Sequence, residues 1–193
     1  LSQLQRVLVV GSNLRKDHPL FAQRIRQAVR MGAQVNVVNA QASDWAMPIS
    51  NTVLAPAPQW SQALANVAAA IASEKGIAAP APGVASASEL AVARSLLSGE
   101  SKAVLLGNAA AHHTGAGALL ALAQWIATEV GATVGYLTEA ANTVGAQVVK
   151  AQPQTQGMNA AQMLSGSLKG VLLLNVEPEF DCAAGAAAAS GLN

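Results

Sequence analysis

The sequence predicts an α/β protein with a doubly wound, mostly parallel sheet and helices on both faces of that sheet. Two observations predict this class. The apolar runs RVLVVGSN, AVLLGN and VLLLNV end in Gly or Asn and lack polar alternation, as is typical of strands buried on both sides. A polar loop and then a helical pattern follow each run. Alternation of this kind is characteristic of parallel sheets.

The first strand and helix belong to a βαβ unit. After RVLVVGSN, a helix begins near Pro19, with Asp17 or His18 close to its cap, and Gly32 suits the position just after its end. A second strand, AQVNVVNA, completes the unit, whose crossover should be right-handed. The apolar stripe expected to pack on the sheet consists of Phe21, Ile25, Ala28 and Val29.

The middle of the chain continues the alternation. We expect a short third strand over residues 51–54 and a helix over 60–75 that Gly76 ends. Ser86 and Glu89 form a capping-box pattern before a helix over 90–97. The strand AVLLG follows, and then a helix over 115–130, which is apolar nearly all round and therefore expected to be buried.

The sequence predicts less regular structure for the C-terminal part of the chain. ATVGYL is a candidate strand, residues 139–164 are mostly loop with a short helix near their end, and GVLLLNV is the expected last strand. EPEFD then leads into an Ala-rich helix. The Pro/Ala loop over 78–86 is the candidate boundary between a first α/β subregion, 1–77, and a second, 87–193, which form either two domains or one.

Composition excludes several classes of protein. A hydrophobic content of 52% excludes a disordered charged tail. The densest apolar stretch, GALLALAQWIATEVG, is shorter than the roughly 20 residues that a bilayer requires, so we expect no membrane insertion. Charged residues make up 11%, against about 25% in typical soluble domains, which predicts surface that is covered in a larger assembly. The chain begins without Met and ends in an Ala-rich stretch, so we expect it to be a piece of a longer protein.

The charge distribution and the cysteine content limit which partners and cofactors this chain could bind. The first 30 residues contain six basic side chains and only one acidic one. Such a segment either attracts phosphate or an acidic partner or is simply a solvated helix face. Nucleic acid is disfavoured because Phe21 is the only Phe, Trp or Tyr among the basic residues. Cys182 is the only cysteine, which excludes an intramolecular disulfide and an iron–sulfur cluster held by this chain.

The turn Gly11-Ser12-Asn13 follows the first strand and is a candidate phosphate-binding site. Backbone N–H groups at the start of a helix favour anions, and Arg15 and Lys16 would add positive charge. The string GSNLRKDHP is neither a GxGxxG fingerprint nor a P-loop, however. Asn39 ends the second strand, where a dinucleotide-binding protein often has Asp or Glu. A tight turn with helix capping is the favoured interpretation.

Two further polar clusters each allow a functional and a structural interpretation. His112 and His113 precede Gly115 and Gly117 in a turn that could bind a metal or a phosphate, but the sequence nearby lacks further ligands, which favours ordinary loop histidines. A carboxylate cluster that could supply acid–base chemistry, or simply stabilise a helix N-terminus, is formed by Glu177, Glu179 and Asp181.

The remaining special side chains are expected to be structural. Trp45, Trp60 and Trp125 are predicted to be core or interface residues, and Cys182 a small buried side chain. The residues alone therefore assign no catalytic, cofactor-binding or metal site.

Several strings resemble a known family. VLVVGSNLRKDHPLFAQRIRQAVRMGAQVNVVNA is similar to the strand–Gly–Asn–x–Arg…His-Pro–helix–strand unit of molybdopterin oxidoreductases. Four later strings are more selective. They are AVLLGNAAAHHTGAGALLALAQWIA, LTEAANTVGAQVV, the Gly-Met-Asn-Ala run at 157–160 and LKGVLLLNVEPEF. They resemble the C-terminal, molybdopterin-oxidoreductase-like region of the large iron–sulfur subunit of bacterial NADH–quinone oxidoreductase, respiratory complex I.

This resemblance implies a fold without the family's cofactor. It implies iron–sulfur clusters outside this fragment, no molybdenum cofactor within it, and other peripheral-arm subunits as partners on the cytoplasmic side of the bacterial inner membrane. The resemblance also implies that some residues correspond by position to the loop that binds the cofactor in the family and are retained here for the geometry of the turn. These residues are Gly11, Asn13, Arg15, His18 and Pro19.

Three functions follow as hypotheses. The first is a non-catalytic structural domain of complex I, in which the basic first helix is a candidate docking face. The second is a cofactor-binding portion of an active molybdopterin-dependent oxidoreductase, suggested by the two Gly/Asn turns that precede helices. The third is a free-standing nucleotide-binding enzyme.

Overall fold

A computed structural model describes residues 1–138, 140, 142–182 and 184–190 of the protein. The chain divides into two compact units, Leu1–Glu139 and Ala140–Asn193. The loop 78–86, the candidate boundary between two subregions, lies inside the first unit and connects the helix over 60–75 to the helix over 87–97. Glu139 and Ala141 of the string LTEAANTVGAQVV, and the last three residues of the Ala-rich end, lie outside the described residues.

The first unit is built on a five-stranded sheet in the order β3-β2-β1-β4-β5, and all of its neighbouring strands are parallel. The strands are β1 (Arg6–Val10), β2 (Gln34–Asn39), β3 (Asn51–Leu54), β4 (Lys102–Leu106) and β5 (Thr133–Tyr136). The order runs outward from β1 to β3 on one side and from β4 to β5 on the other, so the topological switch point lies between β1 and β4. The α/β class and these five strands are confirmed.

Both faces of the sheet are buried. Leu8, Val10 and Val104 belong to a core to which the helices over 60–75, 87–97 and 116–130 contribute, whereas Val7 and Val9 belong to a second core beneath the helix over 19–30. Successive residues of a strand point to opposite faces, and here both directions lead into apolar cores. The sheet therefore needs uninterrupted apolar strands, which is why β1 and β4 have no polar alternation.

The four long helices of the first unit end close to the positions that the sequence predicts, whereas the short helices over 14–17 and 108–111 and the 3₁₀ turn were not predicted. In chain order, the helices are α1 (Leu14–Asp17), α2 (Pro19–Arg30), a 3₁₀ turn (Ala57–Gln59), α3 (Trp60–Lys75), α4 (Ala87–Leu97), α5 (Asn108–Ala111) and α6 (Ala116–Val130). The capping box of α4 is present, and the Ser86 N–H donates to Glu89 Oε2 at 2.8 Å. Among the described residues, no helix is both long enough and apolar enough to cross a membrane.

Two expectations about helix burial need correction. Helix α6 is buried along one face only, through Leu119, Ala123 and Ile126 among others, while Ala118 and Ala121 are exposed. An Ala-rich helix is apolar on every side without needing cover on every side, because a methyl group exposes little surface. On α2, Ile25 and Ala28 are buried as expected, but Phe21 is 40% exposed.

The second unit consists of short helical pieces. They are α7 (Thr143–Val148), α8 (Ala160–Gln162), a π-type turn (Met163–Ser167), α9 (Pro178–Asp181) and α10 (Ala187–Ser190). The expectation of a single short helix within 139–164 was therefore incomplete, since α7 lies there as well.

The prediction that GVLLLNV forms the last strand is wrong. None of the described residues of the second unit is in a strand, and Leu172 and Leu174 are 95% and 85% exposed. A strand exists only when a neighbour satisfies its backbone N–H and C=O groups, and apolar composition does not supply that neighbour.

The carboxylate cluster and the cysteine also differ from expectation. Glu177, Glu179 and Asp181 follow no strand and lie on or before the short helix α9, where the Glu177 N–H donates to Asp181 Oδ2 at 2.7 Å. This contact is local to α9. Cys182 is half-buried and not fully enclosed.

Candidate functional site

The candidate site is the edge of the sheet where the carboxyl ends of β1 and β4 meet. Open α/β sheets bind ligands in the crevice that the two diverging turns leave at this switch point. Here the turns touch each other. The Gly107 N–H donates to Val10 O at 2.8 Å, and the Ala109 N–H donates to Gly11 O at 3.1 Å. The two turns therefore contact each other directly at this edge.

Two glycines permit this close contact. A Cβ atom on Gly107 would lie 2.2 Å from Ser12 Cβ and 2.5 Å from Gly11 O. Gly11 has φ +61°, and a Cβ there would lie 2.8 Å from both Ala110 N and Trp60 Cζ3. Gly11, which suggested a phosphate loop, and Gly107 thus allow contact between the two turns, and Gly11 also lies against Trp60.

A carboxylate of the chain binds the donors of the first turn. The Ser12 hydroxyl donates to Asp17 Oδ2 at 3.2 Å, and the Asn13 N–H donates to the same oxygen at 2.9 Å. Ser12 is buried and Asp17 is the last residue of α1. A hydroxyl and a backbone N–H are the groups that a phosphate would use at such a turn. Asp17 satisfies them from within the chain.

We predict that Asp17→Ala lowers the free energy of unfolding by about 1 to 2 kcal/mol, because it leaves the buried Ser12 hydroxyl and the Asn13 N–H without an acceptor. Asp17→Asn keeps an acceptor oxygen and should cost less. Urea unfolding of the three proteins measures the difference. If Asp17→Ala were as stable as the unsubstituted protein, the hydrogen bonds assigned to Asp17 would be contradicted.

Asn39 and Asp44 complete the edge on the β2 side. Asn39 Nδ2 donates to Ser12 O at 2.9 Å, so it ties the end of β2 to the turn after β1. Asp44 forms an ion pair with Arg15. An open pocket of about 540 Å³ lies beside them, lined by Asn13, Arg15, Lys16 and residues 41–44. Of the two cations at this pocket, Arg15 is already paired within the chain.

Two contacts lower the pKa of Asp44. The Ala46 N–H, which donates to Asp44 Oδ1 at 2.8 Å, and next the Arg15 guanidinium hold this pKa below its usual value of 3.8. A depressed folded-state pKa means that the contribution of Asp44 to stability is present above about pH 3.8 and is lost as the pH falls through the lower, folded-state pKa.

We predict that a carboxyl NMR titration gives Asp44 a midpoint below 3.8 and that Arg15→Gln raises this midpoint part of the way back, because the Ala46 N–H remains. Lys16→Gln removes one cation from the same short helix and serves as the matched control, with no expected change. A midpoint that Arg15→Gln leaves unmoved would contradict the ion pair.

The histidines of the edge contact the protein itself. His113 Nε2 lies 2.9 Å from Ala57 O, the Gly115 N–H donates to His113 Nδ1 at 2.9 Å, and the ring stacks on Trp60 at 5.8 Å between centroids. These partners assign the hydrogen to Nε2 and hold the ring in place. His18 precedes α2 as its N-cap residue, and its Nε2 lies 2.8 Å from Thr138 O.

No group of three or more His, Cys, Asp or Glu side chains with the arrangement of a metal site occurs in the part of the chain that the structure describes. His112, the neighbour of His113, is exposed on the turn after α5.

Three buried polar atoms at this edge have no hydrogen-bond partner in the described structure: Asn13 Oδ1, His18 Nδ1 and Asn108 Oδ1. They lie on the segments that follow β1 and β4. The two amide oxygens are acceptors, so they suit a donor such as a water molecule or a ring amino group, and they repel a phosphate.

The residues that determine this edge were only partly recognisable in the sequence. Gly11, Asn13 and Asn39 stood out because they follow strands. Asp17 was recognisable as a possible helix-cap residue, but its bond to Ser12 depends on the one-turn helix between them. Asn108 stood out only as the Asn that ends the run AVLLGN, and Asp44 gave no signal because it belongs to no motif.

Comparison with known proteins agrees with the fold. No curated protein sequence matches the chain significantly. The sequence model of the family described as molybdopterin oxidoreductase matches residues 2–192, which is nearly the whole chain. The chain therefore belongs to the molybdopterin oxidoreductase family.

Proposed function

We propose that this chain is a non-catalytic structural domain of the large iron–sulfur subunit in the peripheral arm of a bacterial NADH–quinone oxidoreductase. Membership of an oxidoreductase family supports the redox context. The strings AVLLGNAAAHHTGAGALLALAQWIA and LKGVLLLNVEPEF support the particular enzyme through their resemblance to that subunit. On this proposal, electrons pass from NADH to quinone through clusters held outside the fragment.

One observation carries the non-catalytic part of the proposal: the chain's own groups use the sheet edge at which this family would bind its pterin nucleotide. Asp17 accepts from Ser12 and Asn13, and Gly11 and Gly107 bring the two turns into contact. The pyrophosphate of a dinucleotide would have to displace a carboxylate and separate the turns. The residues present therefore do not fit that group.

The same contacts support the structural role. Asp17 holds the turn after β1, Asn39 joins it to β2, and His18 contacts Thr138 beyond β5. Together they tie the carboxyl ends of β2, β1 and β5 into one rigid edge. A rigid domain of this kind can support the cluster-bearing part of the subunit and contact other peripheral-arm subunits on the cytoplasmic side of the membrane.

One observation favours a second function, a cofactor-binding portion of an active molybdopterin-dependent oxidoreductase. Asn13 Oδ1 and Asn108 Oδ1 are unpartnered acceptors on the segments after β1 and β4. Amino groups of a pterin or guanine ring would satisfy them. Ordered water molecules would satisfy them equally, and the non-catalytic role requires only those.

Metal and pterin analysis of the intact parent protein separates the two functions. We expect iron but no stoichiometric molybdenum, and no pterin released by denaturation. Stoichiometric molybdenum together with a released pterin would contradict the structural role and establish the second function.

A further inference from the structure

The exposed side of α2 carries positive charge that nothing in the described structure neutralises. Arg24, Arg26 and Arg30 are exposed, and none of them takes part in an ion pair or a hydrogen bond among the described residues. The helix PLFAQRIRQAVR contains no acidic residue. Arg26 and Arg30 are four residues apart, a spacing at which like charges repel each other. This side of α2 is an uncompensated cationic face.

Apolar side chains flank these arginines. Leu20, near the start of α2, is 75% exposed, and Met31, just after its end, is 81% exposed. They are not part of the core, because α2 packs on the sheet through Ala22, Ile25 and Ala28. Arg and Met beside exposed apolar surface are enriched where proteins bind other proteins.

We propose that the exposed side of α2, defined by Leu20, Arg24, Arg26, Arg30 and Met31, docks against an acidic surface of another protein subunit. The guanidinium groups pair with carboxylates of that subunit while Leu20 and Met31 contact apolar side chains between them. Guanidinium groups suit this partner because their planar donors bind a carboxylate at two points. The inference deepens the proposed function, on which it rests for the presence of neighbouring subunits.

A protein fits this face better than a membrane or a nucleic acid. An amphipathic helix binds a membrane by immersing a continuous apolar face, and the apolar face of α2 is buried against its own sheet. Single-stranded nucleic acid is bound by aromatic side chains interleaved with cations, and Arg24, Arg26 and Arg30 have no aromatic residue between them. A duplex offers phosphates to the arginines but no apolar side chains to the exposed Leu20 and Met31.

Photo-crosslinking in the full-length protein, expressed in its own cells, tests the proposal. Gln23 is exposed and lies three and seven residues before Arg26 and Arg30, on the same side of the helix, so it takes the photoreactive amino acid. We expect one crosslinked protein, joined through a peptide that contains Asp or Glu. Triple reversal (Arg24→Glu, Arg26→Glu, Arg30→Glu) should lower the yield at least about tenfold, because like charges would then face each other.

Matched variants separate charge from folding. Lys150→Glu with Lys169→Glu reverses exposed cations elsewhere and should leave the yield unchanged. Neutralising all three arginines to Gln should lower the yield by less than reversal while the circular dichroism spectrum stays constant. Changing the crosslinked carboxylates of the partner to Lys should restore crosslinking to the reversed protein.

The outcomes that overturn the proposal are no crosslink, a crosslink to lipid or nucleic acid, a crosslinked peptide without carboxylates, or a yield that triple reversal leaves unchanged. These outcomes are distinct from failure of the proposed function. Stoichiometric molybdenum in the parent protein would remove that function but would not alter the crosslinking result.

Discussion

Gly107→Ala is expected to lower the free energy of unfolding by about 3 kcal/mol, at the upper end of the cost of overpacking a core. The new Cβ would lie 2.2 Å from Ser12 Cβ and 2.5 Å from Gly11 O, so the turn after β1 would have to move. A flexible side chain could yield at little cost, but one of these two atoms is backbone and the other is a Cβ attached directly to it. Thermal and urea unfolding measure the loss.

Gly117→Ala is the matched control. Gly117 lies in the first turn of α6, and a Cβ there would meet no atom within 4 Å. Alanine is the better helix former, so this variant should be as stable as the parent or more stable by up to about 1 kcal/mol. Equal losses for the two variants would show that Gly107 is not held between the two turns.

Asn36→Asp is expected to lower the free energy of unfolding by about 3 to 5 kcal/mol at neutral pH, because it leaves an unpaired charge inside the protein. Asn36 is fully buried on β2. Its Nδ2 donates to Val7 O at 3.2 Å and to Ser95 Oγ at 3.0 Å, and its Oδ1 accepts from Asn51 Nδ2 at 2.7 Å. The substitution conserves the side-chain volume but removes both hydrogen bonds that Nδ2 donates. The loss of stability therefore measures the polar network and does not come from a cavity.

An exposed asparagine provides the comparison. Asn175 is exposed in the second unit, and Asn175→Asp should change stability by less than about 0.5 kcal/mol. The loss at Asn36 should shrink in acid, where the introduced carboxyl group is protonated and regains a donor. A loss below about 1 kcal/mol at neutral pH would contradict complete burial of this side chain.

The first unit could be predicted well from the sequence because its local signals agree with its packing. Strands β1 and β4 need apolar residues on both faces, and an unbroken apolar run provides them. The capping box at Ser86 marks the start of α4, and Gly76, with φ +66°, stands where α3 ends. Each of these signals depends on only a few neighbouring residues, and the packing of the folded protein does not override it.

Features that depend on distant partners could not be predicted in this way. The run over 170–176 has the composition of a strand, but pairing depends on a neighbour that composition does not reveal. The contact between Gly11 and Gly107 joins turns that lie far apart in the sequence. A Gly-rich turn that binds phosphate and one that packs against another turn need the same residue for the same reason, which is close approach of the backbone.

Family membership and function are therefore separate conclusions for this chain. The molybdopterin oxidoreductase match and the strand order establish the scaffold. Function depends on the groups at its sheet edge, and fold alone does not determine it. Here Asp17, Asn39 and the ion pair of Arg15 with Asp44 use several of the polar groups at that edge within the chain.

Calorimetric titration of the protein with a pterin dinucleotide, and separately with NADH, tests most directly whether the chain itself fills this edge. We predict no saturable heat for either ligand while the circular dichroism spectrum shows a folded protein. Stoichiometric, saturable binding of either ligand would contradict a filled edge and, with it, the non-catalytic role.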